Sequence, residues 1–136
     1  MLIEQLQQEL FDLGSELASP AGFTYEGMWK AEERHVKALE VLCDSYGEGL
    51  AELTSFILPG GSKLAAALHL ARCVARRAER TLVHLSESEA INPQALIYLN
   101  RLSDLMFVLS RWSLSVQGKD APLWVQERFR GATISN

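Results

Sequence analysis

Large apolar residues recur along the first part of the chain at steps of three and four, which is the spacing of one face of an α-helix. The stripe at the amino terminus consists of Leu2, Leu6, Leu10, Leu13 and Leu17. Because proline disfavours helix in the residue before it, Ser19-Pro20 predicts that the first helix ends before Ser19. A second amphipathic stretch predicts a helix from about Trp29 to Tyr46, and Gly47 marks its end.

Two further helices are predicted from capping signals in the second half of the chain. Ser62 follows a Pro-Gly-Gly turn and precedes a long periodic stretch, so it is predicted to be the N-cap of a third helix that reaches about Leu85. The predicted core stripe of this helix is Leu64, Leu68, Ala71, Ala75, Ala78, Leu82 and Leu85. Asn92 followed by Pro93 predicts the start of a fourth helix, which is expected to run to about Gln117.

The pattern therefore predicts an all-α protein, an up-down bundle of four long helices, because no stretch alternates apolar and polar residues as a half-buried β-strand does. A chain of 136 residues can bury one core, and no repeat or composition shift marks a linker. Residues 1–136 are thus predicted to form a single domain. The segment after Pro122 contains Trp124 and Phe129, and part of it is expected to dock on the bundle.

Composition and charge narrow the function classes. Hydrophobic residues make up 48% of the chain and charged residues 22%, as in ordinary globular proteins. The formal charge of -4 argues against a general nucleic-acid binder, which needs a surplus of Lys and Arg. No apolar run approaches the roughly 20 residues of a membrane span. Cys43 and Cys73 have the sequence setting of core residues. We therefore expect a cytoplasmic protein that binds neither nucleic acid nor membrane.

One face of the third helix is polar and is the main candidate for chemistry. His69, Arg72, Arg76 and Glu79 follow one another at steps of three and four and so share that face. The ordinary interpretation is a solvated stripe of ion pairs. The alternative is a cleft in which Arg72 and Arg76 bind a polyphosphate, because guanidinium groups are permanently charged and bind phosphate oxygens in pairs.

Other candidate residues allow two interpretations each. Asn100, Asp104 and Arg111 lie near one face of the fourth helix, and an asparagine there can bind a ligand or tie two helices together. Phe56, before the Pro-Gly-Gly turn, is either a core residue or part of a cofactor pocket. The three histidines lack the spacing of a zinc site, so no metal site is predicted. The sequence contains neither a GxxxxGK[ST] phosphate loop nor a GxSxG nucleophile motif.

Four ordered blocks of the chain together resemble the propanediol-utilisation-type ATP:cob(I)alamin adenosyltransferases. They are LFDLGSELA at residues 10–18, FILPGGS at 56–62, LHLAR and RRAER within 68–80, and NRLSD at 100–104. The resemblance implies a ferritin-like helical bundle, with five helices in the family, that assembles as a homotrimer with active sites between subunits. It also implies that ATP, Mg²⁺ and cobalamin are bound, and that the 5′-adenosyl group of ATP is transferred to cobalt with release of triphosphate.

The resemblance assigns roles to individual residues. Arg72 and Arg76 are similar to the family's catalytic arginines at the boundary between ATP and the neighbouring subunit, and Glu79 to the acid beside them. Asn100 is similar to an asparagine that contacts the nucleotide, which makes all four residues candidates for ATP binding. Phe56 is similar to the aromatic residue that closes the lower face of the corrin and is the candidate for cobalamin binding.

The family's phosphate-binding Thr-Gly-Asp segment and its first helix have no counterpart within residues 1–136. We therefore expect this chain to represent an N-terminally truncated bundle. The alternative to an enzyme is a non-catalytic cobalamin-binding protein or a helical oligomerisation protein derived from that family.

Overall fold

The fold is an all-α bundle, as the sequence predicts. A computed structural model describes residues 1–126. Its helices are α1 (Leu2–Ala18), α2 (Glu33–Gly47), α3 (Lys63–Ser86) and α4 (Pro93–Ser115). Ser62 caps α3 by accepting a hydrogen bond from the backbone N–H of Ala65, and Asn92 caps α4 through the N–H of Gln94. Both predicted caps are confirmed.

The helix α4 lies at the centre of the bundle and is buried on several faces. Its buried residues are Ala95, Tyr98, Leu99, Leu102, Ser103, Leu105, Met106, Leu109, Ser110, Ser113 and Leu114. Such all-round burial requires a partner helix on more than one side. Helices α2 and α3 pack directly against α4, and α1 reaches it through side chains such as the buried Leu6 and Leu13.

Side-chain contacts give the direction of each helix relative to α4. The pairs are Glu9 with Tyr98 and Glu16 with Asn92 for α1, Glu40 with Arg101 and Tyr46 with Trp112 for α2, and His69 with Ser110 and Glu79 with Asn100 for α3. Helices α1 and α3 therefore run antiparallel to α4, whereas α2 runs parallel to it. This is the predicted up-down arrangement.

The start of α2 differs from the prediction, because the helix begins at Glu33 and not near Trp29. The backbone of Ala31 is engaged in tertiary hydrogen bonds: its N–H donates to the Glu16 carboxylate at 2.9 Å, and its carbonyl accepts from the Asn92 side chain at 2.8 Å. These contacts keep the backbone at Ala31 out of the helix. Trp29 instead packs on the His35 ring at a centroid distance of 4.7 Å.

The predicted core stripe of α3 is wrong at several positions. Ala75 and Leu82 are buried, but Leu64, Ala71, Ala78 and Leu85 are exposed. The helix carries apolar residues on two faces, and it turns the face that contains Ala65, His69, Ala75 and Leu82 toward α4. The second apolar face, together with Leu17 of α1, borders a groove between α1 and α3 whose lining also includes Val74 and Leu99.

The segment after α4 docks on the loop before α3. The N–H of Leu58 donates to the Pro122 carbonyl at 2.8 Å, and the N–H of Trp124 donates to the Phe56 carbonyl at 2.7 Å. Gly61 has a φ of +91°, and a Cβ there would lie 3.0 Å from a Leu114 methyl group, so this turn requires glycine. The prediction that part of the segment after Pro122 docks is confirmed at Trp124, whereas Phe129 lies outside the described residues.

Within residues 1–126, no helix combines the length and apolar character that would let it cross a membrane.

The Asn92 side chain is expected to stabilise the fold beyond its capping role, because it also donates to Glu16 and to the Ala31 carbonyl, both at 2.8 Å. Asn92→Ala should lower the free energy of unfolding by about 2–3 kcal/mol, measured by urea denaturation. The matched control is Ser62→Ala, which removes one capping bond from α3 and should cost about 1 kcal/mol. Equal losses in the two variants would contradict the tertiary role of Asn92.

Candidate functional site

The polar face of α3 lies along the seam with α4, and the two helices bring three of the predicted site residues together. The Asn100 side chain of α4 donates a hydrogen bond to the Glu79 carboxylate at 2.8 Å. The other carboxylate oxygen of Glu79 lies 3.8 Å from a guanidinium nitrogen of Arg76. The side chain of Glu79 is only 19% exposed, whereas that of Arg76 is 50% exposed. Glu79 therefore links the asparagine and the arginine, and Arg76 keeps access to solvent.

Arg72 lies one turn before Arg76 and has a different environment. Its guanidinium carbon lies 5.1 Å from the centroid of the Phe107 ring, within the range of a cation–π contact. Within residues 1–126, Arg72 forms no salt bridge. Among the described residues, the Phe107 ring is thus the contact that orients Arg72.

His69 is buried at this seam, with 3% of its surface exposed. Its Nε2 lies 3.2 Å from the Ser110 hydroxyl, and its ring meets the Phe107 ring at 67° and 6.2 Å. Burial, followed by the positive charge of Arg72, lowers the pKa of His69 below its ordinary value. The interpretation of this helix face as a wholly solvated stripe is therefore wrong for His69 and for the largely buried Glu79.

Phe56 belongs to a separate part of the molecule. Its side chain is 80% exposed, so the interpretation as a core residue is wrong. The ring meets the Trp124 ring edge to face at 6.3 Å, and the loop is held by the hydrogen bonds to the segment after α4. Because α3 rises about 15 Å between Ser62 and Arg72, Phe56 and the arginines lie at different levels of the bundle.

The remaining polar residues of α4 do not join the asparagine at the α3 seam. Arg101 contacts Glu40 of α2 at 2.9 Å and Asp104 at 3.1 Å. Arg111 donates to the backbone carbonyl of Ala51 in the loop after α2. These groups tie α2 and its following loop to α4.

Sequence reasoning did not identify Phe107 and Ser110 as part of the site. They lie one helical turn apart on α4, and Ser110 belongs to a set of buried serines whose hydroxyls each donate to the carbonyl three residues earlier. Serines at helical spacing among leucines indicate a polar contact inside a bundle, and this pattern could have identified Ser110 from the sequence.

No group of three His, Cys, Asp or Glu side chains in the described part of the chain is arranged to hold a metal ion. Cys43 and Cys73 are both free thiols, and burial raises the pKa of Cys43. Cys73 is exposed, so its prediction as a core residue is wrong.

This helical bundle, with two arginines at the α3–α4 seam, is similar to known adenosyltransferases. Residues 1–113 match the protein family described as cobalamin adenosyltransferase. The chain is 47% identical over 123 residues to a cobalamin adenosyltransferase of Cupriavidus metallidurans, with 90% of this chain and 64% of that protein covered. It is 48% identical over 106 residues to a corrinoid adenosyltransferase of Bacillus subtilis, with 78% and 53% covered.

A solved structure agrees with these relatives. It is a phenylalanine-to-alanine variant of a PduO-type ATP:corrinoid adenosyltransferase from Lactobacillus reuteri, complexed with cobalamin and ATP. The TM-score is 0.80 at 41% sequence identity, with 89% of this chain and 67% of that chain covered. The chain belongs to the cobalamin adenosyltransferase family. It spans 64% and 53% of the two curated relatives above.

The buried neutral state of His69 predicts a pH dependence of stability. Because its pKa is lower in the folded chain, the unfolded chain binds more protons as the pH falls below the ordinary histidine value of about 6.5. The melting temperature should therefore fall further between about pH 7.5 and about pH 5.5 in the wild type than in His69→Gln. His84→Gln, at an exposed position, serves as the control and should behave as the wild type. Parallel curves for the wild type and His69→Gln would contradict the assignment.

Proposed function

We propose that this chain is part of a corrinoid adenosyltransferase, which transfers the 5′-adenosyl group of ATP to the cobalt of cob(I)alamin and releases triphosphate. The observation that carries this proposal is the α3–α4 seam in a member of the cobalamin adenosyltransferase family, where Arg76, Glu79 and Asn100 contact one another and Arg72 lies one turn away on the Phe107 ring. The Lactobacillus reuteri relative is complexed with both cobalamin and ATP, which supports the same pair of substrates here.

Arg72 and Arg76 are proposed to bind the phosphates of ATP. A guanidinium presents five N–H donors in a fixed fork that suits phosphate oxygens. The contact of Arg76 with Glu79 is long, at 3.8 Å, so a triphosphate can draw this side chain away at little cost. Charge accumulates on the triphosphate as the C5′–O bond breaks, and the two guanidinium cations stabilise it at that point.

Glu79 and Asn100 are proposed to orient the nucleotide. One of the two N–H groups of the Asn100 amide donates to Glu79, and its amide oxygen can accept a hydrogen bond from a ribose hydroxyl or an amino group. Glu79 is held by Asn100 on one side and approached by Arg76 on the other. The pair therefore gives the arginine a preferred direction before ATP binds.

Phe56 is proposed to contact the lower face of the corrin. An aromatic side chain that is 80% exposed, held in a loop by backbone hydrogen bonds, is suited to cover an apolar surface of a ligand. Excluding the lower axial ligand of cobalt makes reduction to Co(I) easier, and Co(I) is itself the nucleophile that attacks C5′. The protein then needs no nucleophilic side chain, and its task is to align the two substrates.

Mg²⁺ is proposed to enter with ATP, bound to its phosphates. The described residues offer no cluster of three metal-binding side chains, which fits a metal ion held mainly by substrate oxygens and water.

We also propose a cytoplasmic homotrimer with active sites between subunits. Support comes from exposed apolar side chains on α3, namely Leu64, Leu70, Val74, Val83 and Leu85. The free thiols of Cys43 and Cys73 fit a reducing compartment. Light scattering of the full-length protein tests the assembly, and a stable monomer would contradict it.

Arg76→Ala is expected to damage ATP use far more than folding. In the full-length protein, assayed with reduced cobalamin and Mg²⁺, kcat/KM for ATP should fall by about a hundredfold or more. The free energy of unfolding should change by about 0.5 kcal/mol or less, because the ion pair it loses is long, at 3.8 Å, and the Arg76 side chain is half exposed. The matched control is Arg77→Ala, the neighbouring arginine at the α1–α3 groove.

If Arg76→Ala and Arg77→Ala reduced ATP use equally, the α3–α4 seam would not be the nucleotide site. An inactive wild type that binds cobalamin would favour the non-catalytic cobalamin-binding protein instead.

Phe56→Ala should weaken cobalamin activation and leave the dissociation constant for ATP within about twofold of the wild type. The readout is the absorbance of bound cob(II)alamin, which reports loss of the lower axial ligand. Phe11→Ala on α1 is a close control, because Phe11 is 78% exposed and Phe56 is 80% exposed. A loss of ATP affinity in Phe56→Ala as large as the loss of cobalamin activation would refute the assignment.

A further inference from the structure

We propose that the buried His69–Ser110 pair positions Arg72 for the triphosphate. The pair does so by restraining the Phe107 ring, on which the Arg72 guanidinium packs. This inference rests on the proposed function, since it explains how Arg72 is oriented for ATP. The four side chains lie at one level of the α3–α4 seam and touch in sequence, from His69 to Ser110, to Phe107 and to Arg72. Phe107, Ser110 and His69 are positioning residues, because their effect on the ligand passes through Arg72.

The hydrogen bonds at this level have one consistent direction. The Ser110 hydroxyl has a single hydrogen, which it donates to the Phe107 carbonyl at 2.7 Å. Toward His69, 3.2 Å away, the same oxygen can therefore only accept. The tautomer of neutral His69 that fits this direction carries its proton on Nε2, and the bond then runs from His69 to Ser110 to the Phe107 carbonyl.

The Phe107 ring is restrained on two sides. The His69 ring approaches it at 67° with 6.2 Å between centroids, an edge-to-face arrangement. The Arg72 guanidinium lies over the ring at 5.1 Å. Because Ser110 binds the Phe107 backbone and His69 contacts its ring, the pair restrains both the helix position and the ring orientation.

An aromatic platform suits an arginine that must bind an anion. A carboxylate would orient the guanidinium but would also neutralise its charge, as Glu40 and Asp104 do for Arg101 at 2.9 and 3.1 Å. The face of a phenyl ring orients the group while its N–H donors point outward around the ring plane. Within residues 1–126, Arg72 is thus oriented by the ring without a carboxylate against its guanidinium.

Packing alone does not account for a histidine at this position. His69 is 3% exposed, and an apolar side chain of similar size would fill the space without the cost of burying an imidazole. The hydrogen bond to Ser110 offsets that cost and ties α3 to α4 at one register. Neutral His69 also avoids placing a second cation beside Arg72.

The decisive comparison is between two buried serines of α4. Ser110→Ala and Ser113→Ala each remove a hydroxyl that donates to the carbonyl three residues earlier, at 2.7 and 2.8 Å, but Ser110 also contacts His69. In the full-length protein, Ser110→Ala should raise both KM and the calorimetric dissociation constant for ATP by about tenfold, with the KM for cobalamin unchanged. Ser113→Ala should stay within about twofold for every constant.

A second pair of variants tests the hydrogen bond itself. His69→Gln keeps an N–H donor near the Nε2 position and should hold the dissociation constant for ATP within about threefold of the wild type. His69→Leu removes the donor and should match Ser110→Ala. Because both act on one contact, the double variant His69→Leu with Ser110→Ala should be no worse than either alone.

The outcomes separate this inference from the proposed function. If Arg72→Lys weakens ATP binding while Ser110→Ala behaves as Ser113→Ala, Arg72 binds ATP and the positioning role is refuted. If Arg72→Lys leaves ATP binding intact, the proposed nucleotide site itself is wrong. Should His69→Leu fail to fold, the two serine variants still decide the question.

Discussion

The antiparallel contact between α3 and α4 is the constraint on which the rest of the molecule depends. Two polar contacts, His69 with Ser110 and Glu79 with Asn100, lie on it about three helical turns apart. A shift of one helix along the other would leave a buried imidazole and a largely buried carboxylate without partners, which is costly at low dielectric. No buried polar side-chain atom among residues 1–126 lacks a hydrogen bond. The same contacts that fix the register therefore also bring the candidate site together.

Much of the fold could be predicted from the sequence because its signals are local. Ser62 and Asn92 cap their helices by accepting hydrogen bonds from backbone N–H groups at most three residues away. The starts of α3 and α4 can therefore be predicted from a short stretch of sequence. The start of α2 could not be predicted in this way. It is set by hydrogen bonds from Ala31 to Glu16 and Asn92, which are distant in sequence and meet only after α1 and α4 have packed.

The sequence predicts which residues form the candidate site, but not how the helices bring them together. Helical spacing places Arg72, Arg76 and Glu79 on one face, yet a periodicity cannot say which of two apolar faces of α3 meets α4. The choice of the face containing His69 depends on partners supplied by α4, above all Ser110. Phe56 likewise reads as a core residue by its apolar character, and its exposure follows from the long-range contacts between its loop and Pro122 and Trp124.

Three arginines of the bundle differ in the number and distance of their carboxylate partners, although the chain is acidic overall. Arg101 has two carboxylates within 3.1 Å and serves structure. Arg76 has one carboxylate, at the longer distance of 3.8 Å, and its side chain is half exposed. Arg72 rests on the Phe107 ring and makes no ion pair in the described part of the chain. A polyanion that approaches this seam thus meets an Arg72 that the fold has already oriented, and it has only one long Arg76–Glu79 contact to displace. The entropy cost of orienting Arg72 is therefore met during folding and not at binding.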